Sequence, residues 1–140
     1  MRKCQFTLAV LFISITLAAC APSGPSTIEI LDSLETEVNE RDMEGVMALF
    51  AEDAVFEELY QNVALYGTKE IERMWKDSFF IKDTREFRDI SVDGDTATFI
   101  WATVFPVNTK LYPTIIEVQN GKITYMAFIE DATEVPTGEE

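Results

Sequence analysis

Two adjacent glutamates, Glu57 and Glu58, close the short apolar run Ala54-Val55-Phe56. A carboxylate at the end of a strand can act as a general base or, if its surroundings keep it protonated, as a hydrogen-bond donor. Side chains alternate along a strand, so Phe56 and Glu58 share one face while Val55 and Glu57 share the other. If Phe56 faces the domain interior, Glu58 sits at its mouth among apolar groups and desolvation raises its pKa. If it does not, both glutamates are solvated at a strand end. The chain contains no histidine, which removes the commonest general base near neutral pH and the commonest metal ligand. Its many carboxylates lack the spacing of metal ligands, and no cofactor is expected. Phe56, Trp75, Trp101, Tyr112, Tyr125 and Phe128 are of the types that line a hydrophobic cavity with hydroxyl and indole donors; core packing is the plainer role for each.

The stretch that must position Glu58 begins at Asp42. Asp42 is a good helix N-cap, and Val46, Leu49 and Phe50 then fall on one helical face. Glu52 and Asp53 end this helix, and Ala54 begins the strand. An earlier helix starts at Ser26, with Glu29 three residues on in a capping-box pattern. Ile28, Leu31, Leu34 and Val38 form its apolar stripe to about Arg41, and its acidic residues form a solvated face. Tyr60 to Tyr66 reads as a connection. Gly67 and Thr68 start a third helix, with Thr68 as N-cap, Glu70 in the first turn, and Ile71, Met74 and Trp75 on the buried face.

From about Arg85 the period becomes two. Asp93-Gly94 and Asn120-Gly121 are hairpin turn signals. Thr96 to Phe105 reads as the longest strand, with Phe99, Trp101, Thr103 and Phe105 on one face and Ile100, Ala102 and Val104 on the other. Both faces are largely apolar, which predicts a central strand. Lys110 to Gln119 follows, with Pro113 marking a bulge or an edge, and Lys122 to Ile129 is the last strand. Helices gathered on one face of an antiparallel sheet make an α+β fold.

The N-terminus reads as an address. Arg2 and Lys3 precede an apolar run from Phe6 to Leu17, too short to span a bilayer comfortably. It ends in Leu17-Ala18-Ala19-Cys20, which resembles the bacterial lipobox. The resemblance implies cleavage before Cys20, fatty acyl chains of the palmitate type on that cysteine, and a lipid anchor in the cell envelope. Ala21 after the cysteine is similar to the outer-membrane sorting pattern of Gram-negative bacteria, facing the periplasm. Residues 1–19 are thus expected as leader, 20–26 as lipidated cysteine and tether, 27–131 as the folded domain, and 132–140 as an acidic tail.

The residues Asp42, Gly45, Ala48, Leu49, Phe50, Asp53 and Ala54, with Tyr66-Gly67 before a new helix, resemble the nuclear transport factor 2-like superfamily, which includes SnoaL-like polyketide cyclases and ketosteroid isomerases. The resemblance covers roughly Thr27 to Asp131. It implies a cone of three N-terminal helices packed on a curved, mostly antiparallel sheet, with a pocket at the open end. By resemblance to the isomerases, the base position falls on Glu58, the oxyanion tyrosine on Leu34, and the oxyanion aspartate near Ile115. A carboxylate is retained and both donors are missing; losing one such donor typically costs about 100- to 1000-fold in rate. SnoaL-type cyclases place a histidine beside their acids, and this chain has none. Limonene-epoxide hydrolases of the same fold use an Asp-Arg-Asp set, for which Arg88, with Asp89 beside it, is the nearest candidate.

The chain has 140 residues, 25 of them acidic and 11 basic, for a net charge of −14. The first nineteen residues hold Arg2 and Lys3 and no acid, so their removal leaves nine bases against 25 acids, or −16. Such a surface repels nucleic acid. The expected function is a lipid-anchored envelope protein whose SnoaL-like domain binds a small hydrophobic ligand or a protein partner. One alternative is an enzyme using Glu58 as general base on a hydrophobic carbonyl or epoxide. Another is an interaction module that pairs as a homodimer through the sheet face carrying Ile100, Ala102 and Val104.

Overall fold

A computed structural model of the chain describes residues 24–137. The expected leader, the expected lipidation site Cys20 and residues 138–140 of the expected acidic tail lie outside these residues. The described chain forms three helices, α1 (Thr27–Glu40), α2 (Met43–Leu49) and α3 (Gly67–Phe79). Seven strands accompany them: β1 (Phe50–Glu58), β2 (Val63–Tyr66), β3 (Thr84–Asp93), β4 (Thr96–Val104), β5 (Asn108–Gln119), β6 (Lys122–Phe128) and β7 (Thr133–Pro136). The strands make one curved sheet in the order β2-β1-β6-β5-β4-β3, with β7 added to β5. Only β1 and β6 run parallel. The helices cover one face, which gives the expected α+β cone.

The local signals explain most boundaries. Asp42 caps α2 by accepting from the Gly45 amide at 3.0 Å. At α1, Glu29 reaches back, accepting from the Ser26 amide and hydroxyl, each at 2.7 Å. Two bonds from Ser26 hold the Glu29 carboxyl below its ordinary pKa. Asn120 and Gly121, at φ 51° and 70°, make the β5–β6 turn, the left-handed pair that a two-residue hairpin requires. The first hairpin turns on Gly94 and Asp95, one residue later than expected.

Four differences have physical reasons. The third helix is capped not by Thr68 but from Tyr66, whose amide donates to Glu70 Oε2 at 2.8 Å. The connection before it contains β2, because Val63, Ala64 and Leu65 pair back onto β1. The longest strand is β5, with 12 residues against nine for β4, since β5 pairs with β4 on one side and with both β6 and β7 on the other. Thr133–Pro136, expected in a frayed acidic tail, form β7 on the stretch of β5 that β6 does not reach. Pro113 lies in the gap between the β6 and β7 pairings, where its missing N–H removes no ladder bond.

The core at the closed end is aliphatic: Ile30, Leu31, Leu34 and Val38 of α1, Val46 of α2 and Ile71 of α3 meet Ile116, Ile123 and Met126 of the sheet. Thr27 Oγ1 donates to the Gly94 carbonyl there at 2.8 Å, and a Cβ on Gly121 would come within 2.5 Å of Pro25. The chain thus enters at the closed end. The strand ends at Glu58, Thr84, Val104, Asn108 and Phe128 gather at the other end, the mouth. The core, caps and sheet pairings of these elements lie within residues 24–137. Leu34→Ala, which empties a site with no solvent exposure, is expected to cost about 2–5 kcal/mol. Asp42→Ala is expected to cost only about 0.5–2 kcal/mol, with both read from urea melts.

Candidate functional site

The inner face of the sheet near the mouth is built by alternation. Phe56 pairs in register with Met126, and Glu58 with Phe128. Phe128 opposes Thr114, and Tyr112 opposes Trp101. Trp75 and Phe79 come from the last two turns of α3. The short helices dry the closed end, leaving aromatic rings to fill the mouth. Phe128 is the hub of these rings. Its centroid lies 5.4 Å from Phe56, 5.0 Å from Tyr112 and 5.8 Å from Trp101. Trp101 in turn lies 5.5 Å from Trp75 and 4.8 Å from Phe87. Such tilted and edge-on pairs follow from the ring quadrupoles.

Five of the six aromatics expected at a pocket therefore belong to one cluster. Tyr125 does not. It lies on the opposite face of the sheet, between Val55 and Glu117 in register, and its hydroxyl donates to Glu57 Oε2 at 2.6 Å. Burial, the bond to Glu57 and that carboxylate's charge push the Tyr125 phenol up to about 12. The period of two places Tyr125 outward once Met126 and Phe128 point in.

Glu58 shares the inner face with Phe56 and stands half-buried at the mouth. With Phe56, Val63, Leu65 and Met74 it lines an open cleft of about 280 Å³ between β1–β2 and α3, whose rim carries Glu70, Arg73 and Asp77. Gln61 Nε2 donates to Glu58 Oε2 at 2.7 Å. Burial raises the Glu58 pKa, and the nearby charge of Asp131 adds to the effect. Burial also raises the Tyr60 and Tyr112 phenols on this rim. The arrangement can hold an apolar body against rings while presenting a carboxyl whose pKa burial raises. Among the described residues, no group of three acidic side chains converges as a metal site would require.

An inward arginine escaped the reading of the sequence. Arg85, 5% exposed, opposes Thr103 on the inner face of β3. Its Nε donates to Asp83 Oδ2 at 3.1 Å and its Nη2 to the Ser78 carbonyl at 3.2 Å. Its Cζ lies 5.7 Å from the Trp75 ring centroid and 5.6 Å from that of Phe79. Burial lowers the Arg85 pKa, while Asp83 opposes the change. The alternation of Arg85 with Phe87 was the available signal; a charged residue in phase with core phenylalanine is buried only with a partner. Arg88, the nearest candidate for an Asp-Arg-Asp set, lies on the opposite face beside Ile100 and pairs with Glu86 at 2.7 Å.

The SnoaL-like domain family matches residues 31–126, well over half the chain. The chain belongs to this family. Solved structures agree on the fold. An NTF-2 like protein of unknown function from Burkholderia xenovorans LB400 superposes with TM-score 0.66 at 17% identity, covering 79% of this chain and 88% of that one. The epoxide hydrolase/cyclase-like enzyme SalBIII, of pyran ring formation in the polyether salinomycin, gives TM-score 0.65 at 20% identity over 72% and 87%. An LEH-like epoxide hydrolase of M. tuberculosis gives TM-score 0.58 at 17% identity over 72% and 79%. At these identities the likeness concerns the fold. No curated protein matches the sequence.

Within the SnoaL-like cone, the positions expected for oxyanion donors carry none. Leu34 is wholly buried core. Ile115 faces outward opposite Thr98 and Ala127, and the hydroxyl of neighbouring Thr114 is taken by the Tyr112 carbonyl at 2.8 Å. Glu58 is testable through stability. Its raised pKa makes ionisation cost folding free energy; that cost is absent below the ordinary value of 4.5 and grows as pH rises through the shifted one. Glu58→Gln, which preserves an acceptor for Gln61, is expected to melt above wild type at about pH 7 and level with it at about pH 3.5. A lower Tm for the variant at neutral pH would show that the carboxylate is held ionised.

Proposed function

We propose that the protein is a lipid-anchored envelope protein whose SnoaL-like domain binds a small hydrophobic ligand at the mouth of the cone. The observation that carries the reading is the cleft along α3, lined by Phe56 and Glu58, with the aromatic cluster of Phe56, Trp75, Trp101, Tyr112 and Phe128 packed behind it. Anchoring through Cys20 is consistent with the entry of the chain at the closed end. Gly24 is four steps along the chain from Cys20, with three residues between them, a span of at most about 14 Å. A domain so tethered hangs by its closed end and presents its mouth away from the membrane.

A second reading makes Glu58 a general base acting on a hydrophobic carbonyl or epoxide; its raised pKa at an apolar rim favours this. A homodimer through the outer sheet face also has support, because Ile100, Val104, Leu111, Pro113 and Ile115 are only partly covered there. Ala102 itself is wholly buried between its neighbours and adds nothing to that surface.

Native mass spectrometry on residues 21–140 separates these readings. A co-purifying small-molecule mass is expected if the mouth is a ligand site; a clean monomer mass counts against it, and a dimer peak favours pairing through the sheet. For the anchor, expression of the full chain in a bacterial host is expected to place it in the membrane fraction, and Cys20→Ala to remove its acyl mass and release it. Acyl-free wild-type protein would overturn the anchor.

A further inference from the structure

Two buried side-chain donors among the described residues have no partner: Trp75 Nε1 and Arg85 Nη1. The residues that carry them are 3% and 5% exposed. An unsatisfied buried N–H is costly, and native interiors rarely keep one without a reason. Two in one place are harder to dismiss. They are in one place, since the Arg85 guanidinium carbon lies 5.7 Å from the centre of the Trp75 ring. The other arms of the guanidinium are occupied by Asp83 and the Ser78 carbonyl, which fixes its orientation and leaves Nη1 as the spare arm.

The ion pairs hold the guanidinium in place. The Asp83 side chain is only 2% exposed and serves two cations, Arg41 at 3.3 Å and Arg85 at 3.1 Å. Arg41 is further held by the carbonyls of Ile81 and Asp83 at 3.0 and 2.9 Å. Two guanidinium groups therefore share one carboxylate, and guanidinium stays protonated in proteins. The Arg41 side chain is 34% exposed, so water meets its charge, while the buried Arg85 relies on Asp83. The walls around it are apolar: Phe79 and Trp75 stack on the guanidinium, and Trp101 and Phe87 continue the wall. Next to it along the chain, Phe80 and Ile81 are exposed, forming an apolar lip with no buried role.

We propose that Arg85 and Trp75 are the polar end of the aromatic interior, and that they bind the carboxylate of an apolar carboxylic acid whose hydrocarbon body lies against the rings. A carboxylate has two oxygens, enough to accept from both spare N–H groups. The inference rests on the reading of the mouth as a ligand site and adds the chemical class of the ligand.

The test uses 15N-labelled residues 21–140 with decanoate and decan-1-ol as matched probes. The chain has two tryptophans, so Trp75→Phe assigns the Trp75 indole resonance while keeping a ring in place. Decanoate is expected to shift that resonance and, by calorimetry, to bind at least about tenfold more tightly than the alcohol, as a charge-assisted hydrogen bond implies. Trp75→Phe and Arg85→Met are each expected to bring the ratio of decanoate to alcohol affinity down toward one. Arg85→Met leaves Asp83 paired with Arg41; if it fails to fold, Trp75→Phe alone decides the matter. Alcohol and carboxylate binding equally, or Trp75→Phe leaving that ratio unchanged, would overturn the polar end and leave the ligand site standing. If neither probe binds, the ligand site falls with it.

Discussion

The cone depends on how the free edge of β3 is satisfied. A terminal strand presents unpaired amides and carbonyls, and burying them without partners is costly. Here α1 supplies the partners from its own side chains. Asn39 accepts from the Arg85 amide at 2.8 Å and donates to the Arg85 carbonyl at 2.7 Å. Glu35 accepts from the Phe87 amide at 3.0 Å. The side chains of one helix thus stand in for a missing neighbour strand, and the sheet is held against that helix. The same bonds orient Arg85 and Phe87 inward. Beyond Phe87 the seam ends: Asp89 adopts φ 52° and the register with β4 slips between Arg88 and Ser91.

From this seam the character of the interior follows. The helices are of 14, seven and 13 residues, enough to cover the closed end with aliphatic packing and too little to cover the mouth. Aromatic side chains reach further from the backbone than aliphatic ones and bury more area each. They fill the space that helices leave, and they do so around Phe128. A cluster made of rings has edges that accept flat apolar matter and few polar atoms to oppose it. Among the polar groups that remain there, Glu58 at the rim and Arg85 of the deeper Asp83–Arg85 pair have their ionisation disturbed by the surroundings, as does the Tyr112 phenol.

The outer face obeys a different balance. Arg88 with Glu86, and Tyr125 with Glu57, hold polar contacts along it. Ile100, Leu111 and Pro113 bound a shallow depression of about 630 Å³ between them. A sheet with one dry face ordinarily turns polar groups to water on the other. This one mixes the two, because β4 and β5 carry apolar and β-branched residues on both faces.

The elements governed by local rules were legible in the sequence. Asp42 marks a helix start because an unpaired amide needs an acceptor nearby, and Asn120-Gly121 marks a turn because few residues tolerate positive φ. The apolar stripe of α3, the alternation of β4 and the position of Glu58 on the Phe56 face follow from periods of 3.6 and two, as does the α1 stripe, except that Ile30 is buried in place of Ile28, which stands exposed. The α+β class followed from their order, and the family from the resemblance carried by residues between Asp42 and Gly67. Tertiary structure decided the rest. Tyr125 and Phe128 look alike as candidates, yet three residues along a strand put them on opposite faces. The Thr133–Pro136 strand exists only because β5 outruns β6 and leaves an edge to pair with. Arg85 reads as one more surface base until Asn39 and Glu35 pin its strand inward, Asp83 meets its charge and Trp75 lies beside it. Those contacts join residues far apart in the chain, and no local pattern encodes which distant groups will meet.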